Sequence, residues 1–251
     1  MEEKSVGVSA ALRFEHVSKT FVRANGDRET VLDDFSLDIA PGELVAVVGS
    51  SGIGKSTILH LAAGLEKPDS GRVQFAGGGR PRLGMVFQQP RLFDWLTVAD
   101  NIAVAVNAAR GDISKARAML AAVGLARHAS AYPLALSGGQ RQRVALARAF
   151  AIEPDAVLLD EPFSALDEMT ARKLRLLLQE LWLDYAPSGI LVTHNTLEAA
   201  FLADRIVVLT GRPARIKLVI AVGDARPRNT ENSFFFDLHR EILATLERSA
   251  G

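Results

Sequence analysis

A glycine-rich segment that begins at Gly49 has the residue types and the spacing of a phosphate-binding loop. It matches the pattern G-x-x-x-x-G-K-[ST] in full, with Gly49, Ser50, Ser51, Gly52, Ile53, Gly54, Lys55 and Ser56, and Thr57 follows. Glycines free backbone N–H groups to wrap phosphates, the lysine adds a positive charge, and the serine offers a hydroxyl to Mg²⁺. The alternative is a glycine-rich turn with an exposed lysine. An apolar strand pattern before the loop and a helical pattern after it favour the phosphate site.

Two adjacent carboxylates, Asp160 and Glu161, follow directly after the uninterrupted apolar run of residues 156–159. Acidic side chains at the end of a buried strand are costly unless a cation or hydrogen-bond donors meet them. Ligands of open α/β sheets collect at that end of the strands. Asp160 is therefore predicted to hold Mg²⁺, directly or through water, and Glu161 to polarise an attacking water. The alternative is a strand-to-turn junction whose acids are solvated.

The pentapeptide of residues 136–140, Leu-Ser-Gly-Gly-Gln, is a second candidate anion site. Two glycines at a helix start each cost about 1 kcal/mol relative to alanine. They leave N–H groups uncovered at the positive end of the helix dipole, which is a seat for an anion. The alternative is an ordinary capping box, since Ser137 and Gln140 have the S-x-x-Q spacing. Taken alone, the pentapeptide favours the capping box.

Composition excludes several classes of function. The 251 residues carry 29 basic and 29 acidic side chains, so no global basic field indicates a nucleic-acid partner. The absence of cysteine excludes disulfides, thiolate metal sites and a cysteine nucleophile. Residues 1–10 are acidic and lack a hydrophobic segment, so no signal peptide is expected. No apolar run is long enough to cross a bilayer, and the chain is expected to be soluble and to serve a membrane only through partners.

Alternating strand and helix patterns predict an α/β protein with a largely parallel sheet. The predicted strands are residues 12–21, 35–39, 43–48, 72–75, 83–87, 156–159, 190–193, 205–210 and 214–221. The predicted helices are residues 55–63, 97–109, 113–123, 138–152, 168–182, a helix that starts at residue 195, and 234–248. Residues 89–149 are rich in helices and are predicted to form a subdomain beside the sheet. Residues 205–251 are predicted to supply C-terminal strands and a helix.

Three elements stand in order along the chain: the phosphate loop, Leu-Ser-Gly-Gly-Gln, and an apolar strand that ends in Asp-Glu-Pro. In this order they resemble the nucleotide-binding subunits of ABC transporters, and the resemblance extends over residues 12–247. It implies a single ABC ATPase domain over residues 1–251. The implied fold is that of a P-loop NTPase, with a mainly parallel core sheet, an antiparallel β subdomain and a helical subdomain that carries the pentapeptide. The implied activity is ATP hydrolysis with Mg²⁺.

Single residues match further motifs of this family. Gln88 resembles the Q-loop glutamine that touches Mg²⁺ and the attacking water, and His194 resembles the switch histidine that contacts the γ-phosphate. Residues 164–167 resemble the D-loop at the dimer interface, and Phe21 lies where an aromatic ring stacks on adenine. Each of these matches has an alternative interpretation if the family resemblance is set aside. Gln88 is then a polar residue at a strand end and His194 a structural histidine. Phe21 is then a core aromatic residue, and Asp167 only caps the following helix.

The resemblance also implies an assembly. The pentapeptide of one subunit closes over the ATP held by the phosphate loop of another, so that two identical or similar subunits enclose two ATP molecules head to tail. Ser137, Gly138, Gly139 and Gln140 then bind the partner's nucleotide. The implied partners are a second ATPase subunit, integral membrane permease subunits and, indirectly, a solute-binding protein. The implied location is peripheral, on the cytoplasmic side of the inner (plasma) membrane.

Three positions depart from the family pattern. Ile53 replaces the usual serine in the phosphate loop, where the backbone N–H matters most, so little loss is expected. Asn195 replaces the aspartate that usually follows the switch histidine; with Glu198 it keeps the spacing of a capping box. Asp94 stands before Trp95, where close relatives often carry proline, near the expected contact with the membrane subunit.

Two stretches resemble the nitrate/sulfonate/taurine group of bacterial importers, namely residues 87–98 and residues 202–228. This subfamily likeness predicts an importer of a small solute that the ATPase subunit does not itself touch. One alternative is the motor of an exporter or of a lipoprotein-moving complex. Another is an ABC ATPase that acts on DNA or ribosomes, against which the balanced charge and the absence of long insertions argue. A plain P-loop kinase would have no use for the pentapeptide.

Overall fold

A computed structural model describes residues 11–78, 81–228 and 233–248. Residues 1–10, and with them the expectation that they carry no signal peptide, lie outside this part of the chain. None of the helices in the described ranges is long and apolar enough to cross a membrane.

Two β-sheets form the framework. Strands β1 (Leu12–Val22), β2 (Arg28–Ile39) and β4 (Ser70–Phe75) pair antiparallel in the order β2-β1-β4. The larger sheet has the order β5-β6-β7-β3-β8-β9, in which the first five strands are parallel and β9 is antiparallel to β8. Its strands are β3 (Leu44–Val48), β5 (Leu83–Val86), β6 (Ala156–Asp160), β7 (Ser188–Thr193), β8 (Arg205–Thr210) and β9 (Arg215–Ala221). The predicted mainly parallel sheet and antiparallel β subdomain are confirmed.

Seven α-helices accompany these strands in the described part of the chain. They are α1 (Lys55–Ala62), α2 (Val98–Ala108), α3 (Ser114–Ala122), α4 (Gly138–Phe150), α5 (Glu168–Tyr185), α6 (Thr196–Leu202) and α7 (Ser233–Arg248). Helices α2, α3 and α4 pack on one another as the predicted helical subdomain, and α4 also packs against β5. Helix α7 packs on α6 and also contacts β8.

The central sheet is covered on both faces. Side chains alternate along β3, so that Leu44, Ala46 and Val48 belong to the core beneath the helices. Val45 and Val47 belong to the core shared with α1 and the antiparallel sheet. A parallel strand buried on both faces reads as a continuous apolar run, which is why the sequence of β3 shows no alternation.

Strand β2 is longer than expected. It begins at Arg28, whereas the apolar pattern predicted a strand only over residues 35–39. Polar residues such as Asp33 and Asp34 hide the first half from a pattern search, and Asp34 has a positive φ of 53°. Backbone pairing with β1 continues through this stretch with register shifts. Pairing with β1 therefore defines this half of the strand, together with the burial of Leu32 in the core.

Gly189 in β7 lies where the central sheet leaves no room for a side chain. A Cβ atom there would lie 2.4 Å from the Val157 carbonyl oxygen and 2.6 Å from the Trp182 ring. Because a backbone oxygen of a neighbouring strand cannot move aside, we expect Gly189→Ala to lower the free energy of unfolding by at least about 2 kcal/mol. Urea denaturation measures this. Gly223→Ala is the matched control, since nothing lies within 4 Å of its Cβ position; equal stabilities would contradict the prediction.

Candidate functional site

The glycine-rich loop lies between the end of β3 and the start of α1. Gly54, with a φ of +113°, precedes α1, and a Cβ there would lie 2.4 Å from Val31 Cγ1 of β2. Glycine is therefore required by the packing of the loop against the antiparallel sheet as well as by its turn. Ile53 is buried in the core on that side, and its N–H donates to Ser50 O at 3.4 Å.

Lys55 is held inside this loop. Its Nζ donates to the carbonyl oxygens of Gly49 at 2.8 Å and Ser50 at 3.0 Å, and the residue is 5% exposed. Burial lowers the pKa of the Lys55 ammonium, although the charges of Glu161 and Asp160 oppose this. An ammonium group has three donors, so one remains for an anion. A bound anion would offset the cost of burying the Lys55 ammonium.

A cavity of about 270 Å³ opens over the loop. Phe21 and most residues of the phosphate loop line it, namely Ser51, Gly52, Gly54, Lys55, Ser56 and Thr57, together with Glu161. Gly49, Ser50 and Ile53 of the loop do not line it. Phe21 belongs to neither core cluster, and the Nζ of Lys19 lies 5.0 Å from its ring centroid. The ring is thus a half-buried wall of the cavity. Glu29 and Val31 of β2 also line the cavity; the sequence did not reveal them, because the strand pattern of β2 was hidden there.

Asp160 ends β6 opposite the start of α1. The Ser56 hydroxyl donates to Asp160 Oδ1 at 3.3 Å. Burial raises the pKa of the Asp160 carboxyl, against the lowering effect of the Ser56 hydrogen bond. A carboxylate and a hydroxyl at hydrogen-bonding distance suit a hard divalent cation whose other ligands are phosphate oxygens and water. These two residues therefore fit the predicted Mg²⁺.

Glu161 is fixed by its backbone. It has a positive φ of 44°, uncommon for a residue that is not glycine. Its N–H donates to Val192 O at 2.9 Å, and its carbonyl accepts from Ser164 Oγ at 3.0 Å. Bonds on both sides hold the residue in this strained conformation, which is a feature of functional sites. The carboxylate is thereby directed into the cavity over the phosphate loop.

His194 stands beside Glu161. It follows β7, the neighbour of β6 in the sheet, and its Nδ1 lies 3.0 Å from Glu161 Oε2. The sequence placed both residues at one edge of a sheet, but it gave no sign that they touch. The imidazole is exposed, whereas the carboxylate is about three-quarters buried. Glu161 lines the cavity over the phosphate loop, whereas His194 does not line it and contacts it only through Glu161.

Gln88 does not line the cavity over the phosphate loop. It lies in a separate groove of about 440 Å³ with Asp94, Gly138 and Leu166. The segment after β5 is held by α4, because Arg148 donates to Arg91 O and Pro90 O, each at 2.8 Å. The segment that carries Gln88 and the helix that carries the pentapeptide are therefore tied together.

The pentapeptide forms the start of α4 and is a complete capping box. Ser137 Oγ accepts from Gln140 N at 3.3 Å, and Gln140 Oε1 accepts from Ser137 N at 2.9 Å. The structure thus contains the capping box that was the alternative interpretation of these two residues. It does not account for Gly138, because a Cβ there would meet its nearest heavy atom, in Leu166, only at 3.7 Å.

Gly138 and Gly139 of the pentapeptide are glycines for different reasons. At Gly139 a Cβ would lie 2.4 Å from Thr170 Cγ2 of α5, so packing within the chain requires that glycine. Ser137 and Gly138 are exposed, and no residue of the pentapeptide lines the cavity over the phosphate loop of the same chain. The helix start that would seat an anion therefore lies outside the cavity over the chain's own phosphate loop, and Gly138 lines the groove that holds Gln88.

The start of α6 differs in part from expectation. Asn195 caps it through its Oδ1, which accepts from Glu198 N at 3.1 Å. The reciprocal bond of a capping box is absent, because the Asn195 N–H donates to Thr193 Oγ1 at 3.0 Å. The helix start survives the substitution, but the Glu198 carboxylate is left for other contacts.

Known proteins resemble this chain closely. The ABC transporter family matches residues 32–164. The taurine import ATP-binding protein TauB of Pseudomonas aeruginosa is 45% identical over 224 residues, covering 86% of this chain and 84% of that protein. The aliphatic sulfonates import ATP-binding protein SsuB 2 of Burkholderia lata is 42% identical over 227 residues, covering 89% of this chain and 83% of that protein.

Solved structures give the same result. The ATP-binding cassette MJ0796, in a dimeric post-hydrolysis state bound to ADP and Pi, superposes with a TM-score of 0.74 at 31% identity, covering 85% of this chain and all of that one. A second dimeric structure of MJ0796, a bacterial ABC transporter cassette, gives a TM-score of 0.74 at 30% identity with the same coverage. With the phosphate loop, the acidic strand end and the outward-facing pentapeptide in place, the chain belongs to the ABC transporter family, as one of its ATP-binding, ATP-hydrolysing subunits.

Proposed function

We propose that this chain is the motor subunit of an importer for a small sulfonate-like solute such as taurine, and that it hydrolyses MgATP between two copies of itself. The observation that carries the proposal is the separation of the two anion seats. The phosphate loop with Lys55 lines one cavity, whereas the exposed Gly138 at the start of α4 lines a separate groove. One chain cannot use both on one nucleotide, whereas two chains arranged head to tail can.

Within each site the residues divide the chemistry. Bound Mg²⁺ neutralises charge on the β- and γ-phosphates. Ser56 and Asp160 hold the metal, and Lys55 directs its free donor at the phosphates. Glu161 accepts the proton of the attacking water. His194, in contact with Glu161, orients that carboxylate and faces the γ-phosphate.

Several assignments rest on the closed dimer rather than on one chain. Gln88 reaches the metal and the attacking water only if its segment moves toward the phosphate loop, because in this chain it lines another groove. The partner's nucleotide accepts hydrogen bonds from the N–H groups of Gly138 and Gly139 and from the Ser137 hydroxyl. Phe21 stacks on adenine at the open end of the cavity. The Gln140 side chain serves the capping box and acts by fixing the helix start.

The permease subunits dock on the loop between β5 and α2. Trp95 is 74% exposed there, and its ring centroid lies 5.3 Å from that of Phe93. The fully buried Asn101 holds this loop, since it accepts from Phe93 N at 2.7 Å and donates to Thr97 O at 3.0 Å. A rigid loop that presents exposed aromatic rings suits an anchor of a protein interface. The assembly lies at the cytoplasmic side of the inner membrane, with a solute-binding protein outside and no nucleic acid.

The proposal is tested by co-expressing the chain with any permease and solute-binding protein that the neighbouring genes encode. We expect a complex that takes up taurine into vesicles only when ATP is supplied. Trp95→Ala should lower recovery of the permease about tenfold, as loss of a central aromatic anchor does. Leu65→Ala, which also truncates an exposed apolar side chain, is the control. Failure to recover a permease with the wild-type chain, or uptake without ATP, would contradict the proposal.

A further inference from the structure

Helices α5, α6 and α7 enclose another cavity, of about 230 Å³. Phenylalanines of α6 and α7 line it together with charged residues of α5 and α6. None of its lining residues lines the cavity over the phosphate loop. The proposed ATP chemistry leaves this cavity without a role.

Glu198 is the lining residue of this cavity whose buried carboxylate is not fully hydrogen-bonded. It is 5% exposed, and its Oε1 has no hydrogen-bond partner within the described chain. Burial raises its pKa to about 7, despite the nearby Arg175 and a hydrogen bond from Thr193. A buried acceptor without a partner destabilises the folded chain. A ligand that donates a hydrogen bond to Oε1 would relieve that destabilisation.

The charges around Glu198 favour a cation. Arg175 donates to the Glu168 carboxylate, so the guanidinium is already engaged in contact with another acid. Glu161 adds further negative potential at Glu198. With Glu198 ionised, the cavity holds two carboxylates and one guanidinium, a net charge of about −1. A monovalent cation would balance it, whereas an anion would not.

The apolar wall specifies the rest of the ligand. Phe201 and Phe235 are 3% and 2% exposed, with ring centroids 6.2 Å apart and an interplanar angle of 79°. Phe236 also lines the cavity and is 53% exposed, so it stands toward solvent. Aromatic walls bind hydrocarbon groups and attract cations through their ring faces. They give a small inorganic cation no ligands.

We propose that this cavity binds a small protonated amine that carries a hydrocarbon group. The ammonium donates to Glu198 Oε1, and the hydrocarbon packs among Phe201, Phe235 and Phe236. The proposal does not depend on which solute is transported. Binding should therefore be seen in the purified chain without nucleotide.

The test compares phenethylamine with its neutral isostere 2-phenylethanol and with the anion phenylacetate, by isothermal titration calorimetry on the full chain at pH 8. A pH above 7 favours the ionised form of Glu198, whose pKa burial raises to about 7. We expect phenethylamine to bind about tenfold more tightly than 2-phenylethanol, because only the amine donates a charge-assisted hydrogen bond to the buried carboxylate. Phenylacetate should not bind.

Two variants make the test specific. Glu198→Gln should remove the preference for the amine over the alcohol, while Glu241→Gln, an exposed glutamate of α7 that does not line the cavity, should keep it. Phe236→Ala, at a half-exposed position where folding is not at risk, should weaken amine and alcohol alike. Equal binding of amine and alcohol by the wild-type chain, no amine binding at about 1 mM, or an unchanged preference in Glu198→Gln would overturn the proposal.

Discussion

Replacing Glu161 with glutamine is expected to slow ATP hydrolysis by about 10²–10⁴-fold, the usual contribution of a general base, while ATP binding is retained. Glutamine has the same shape, and its amide oxygen can keep the contact that Glu161 Oε2 makes with His194 at 3.0 Å. The strained backbone is also kept, because its bonds to Val192 and Ser164 use main-chain atoms of residue 161. The lost property is the ability to take up a proton from water. ATP should then persist between the subunits.

Phosphate release measures the turnover of this variant, and gel filtration with MgATP measures its dimer. We expect a stable dimer with Glu161→Gln and a transient one with the wild type. Glu180→Gln removes an exposed carboxylate from α5 and serves as the control, with turnover unchanged. Hydrolysis by Glu161→Gln within about tenfold of the wild-type rate would refute the assigned role.

The features that the sequence predicted are those set by local spacing. Residues 49–56 are consecutive, so their pattern contains the whole loop and its strand-to-helix context. The parallel strands are buried on both faces and read as continuous apolar runs, which is why β6 and β8 were found with nearly correct bounds. The ABC ATPase fold and the family are confirmed by the comparisons. The roles of the single site residues remain predictions.

The features that the sequence did not predict depend on contacts between distant segments. His194 and Glu161 are in contact because β6 and β7 are neighbours in the sheet. The sequence of neither segment indicates that strand order. The two glycines at the start of α4 look equivalent in the sequence. Only the packing of Thr170 against Gly139, and the open space at Gly138, separates a structural glycine from one that leaves room for a ligand.

That distinction gives the second large prediction: Gly138→Asp should remove turnover without weakening the monomer. The aspartate fits, since the nearest heavy atom to its Cβ lies at 3.7 Å. A negative side chain in the first turn of α4 stabilises the helix by about 0.3–1 kcal/mol, so the melting temperature should not fall. The same charge repels a phosphate that approaches from the partner. We expect nucleotide affinity of the monomer near that of the wild type and turnover lowered at least about 10²-fold. Loss of monomer binding would indicate misfolding instead.

Mixed dimers decide whether the two anion seats act on one nucleotide across the interface. Lys55→Ala and Gly138→Asp should each be inactive alone, because every site of either homodimer contains a damaged half. In a head-to-tail dimer of one chain of each kind, one site combines both defects, but the other has an intact Lys55 facing an intact Gly138. Mixing the two inactive proteins should therefore restore turnover, measured as phosphate release against the ratio of the chains. If both seats served the nucleotide of their own chain, every site in the mixture would remain damaged and no activity would return.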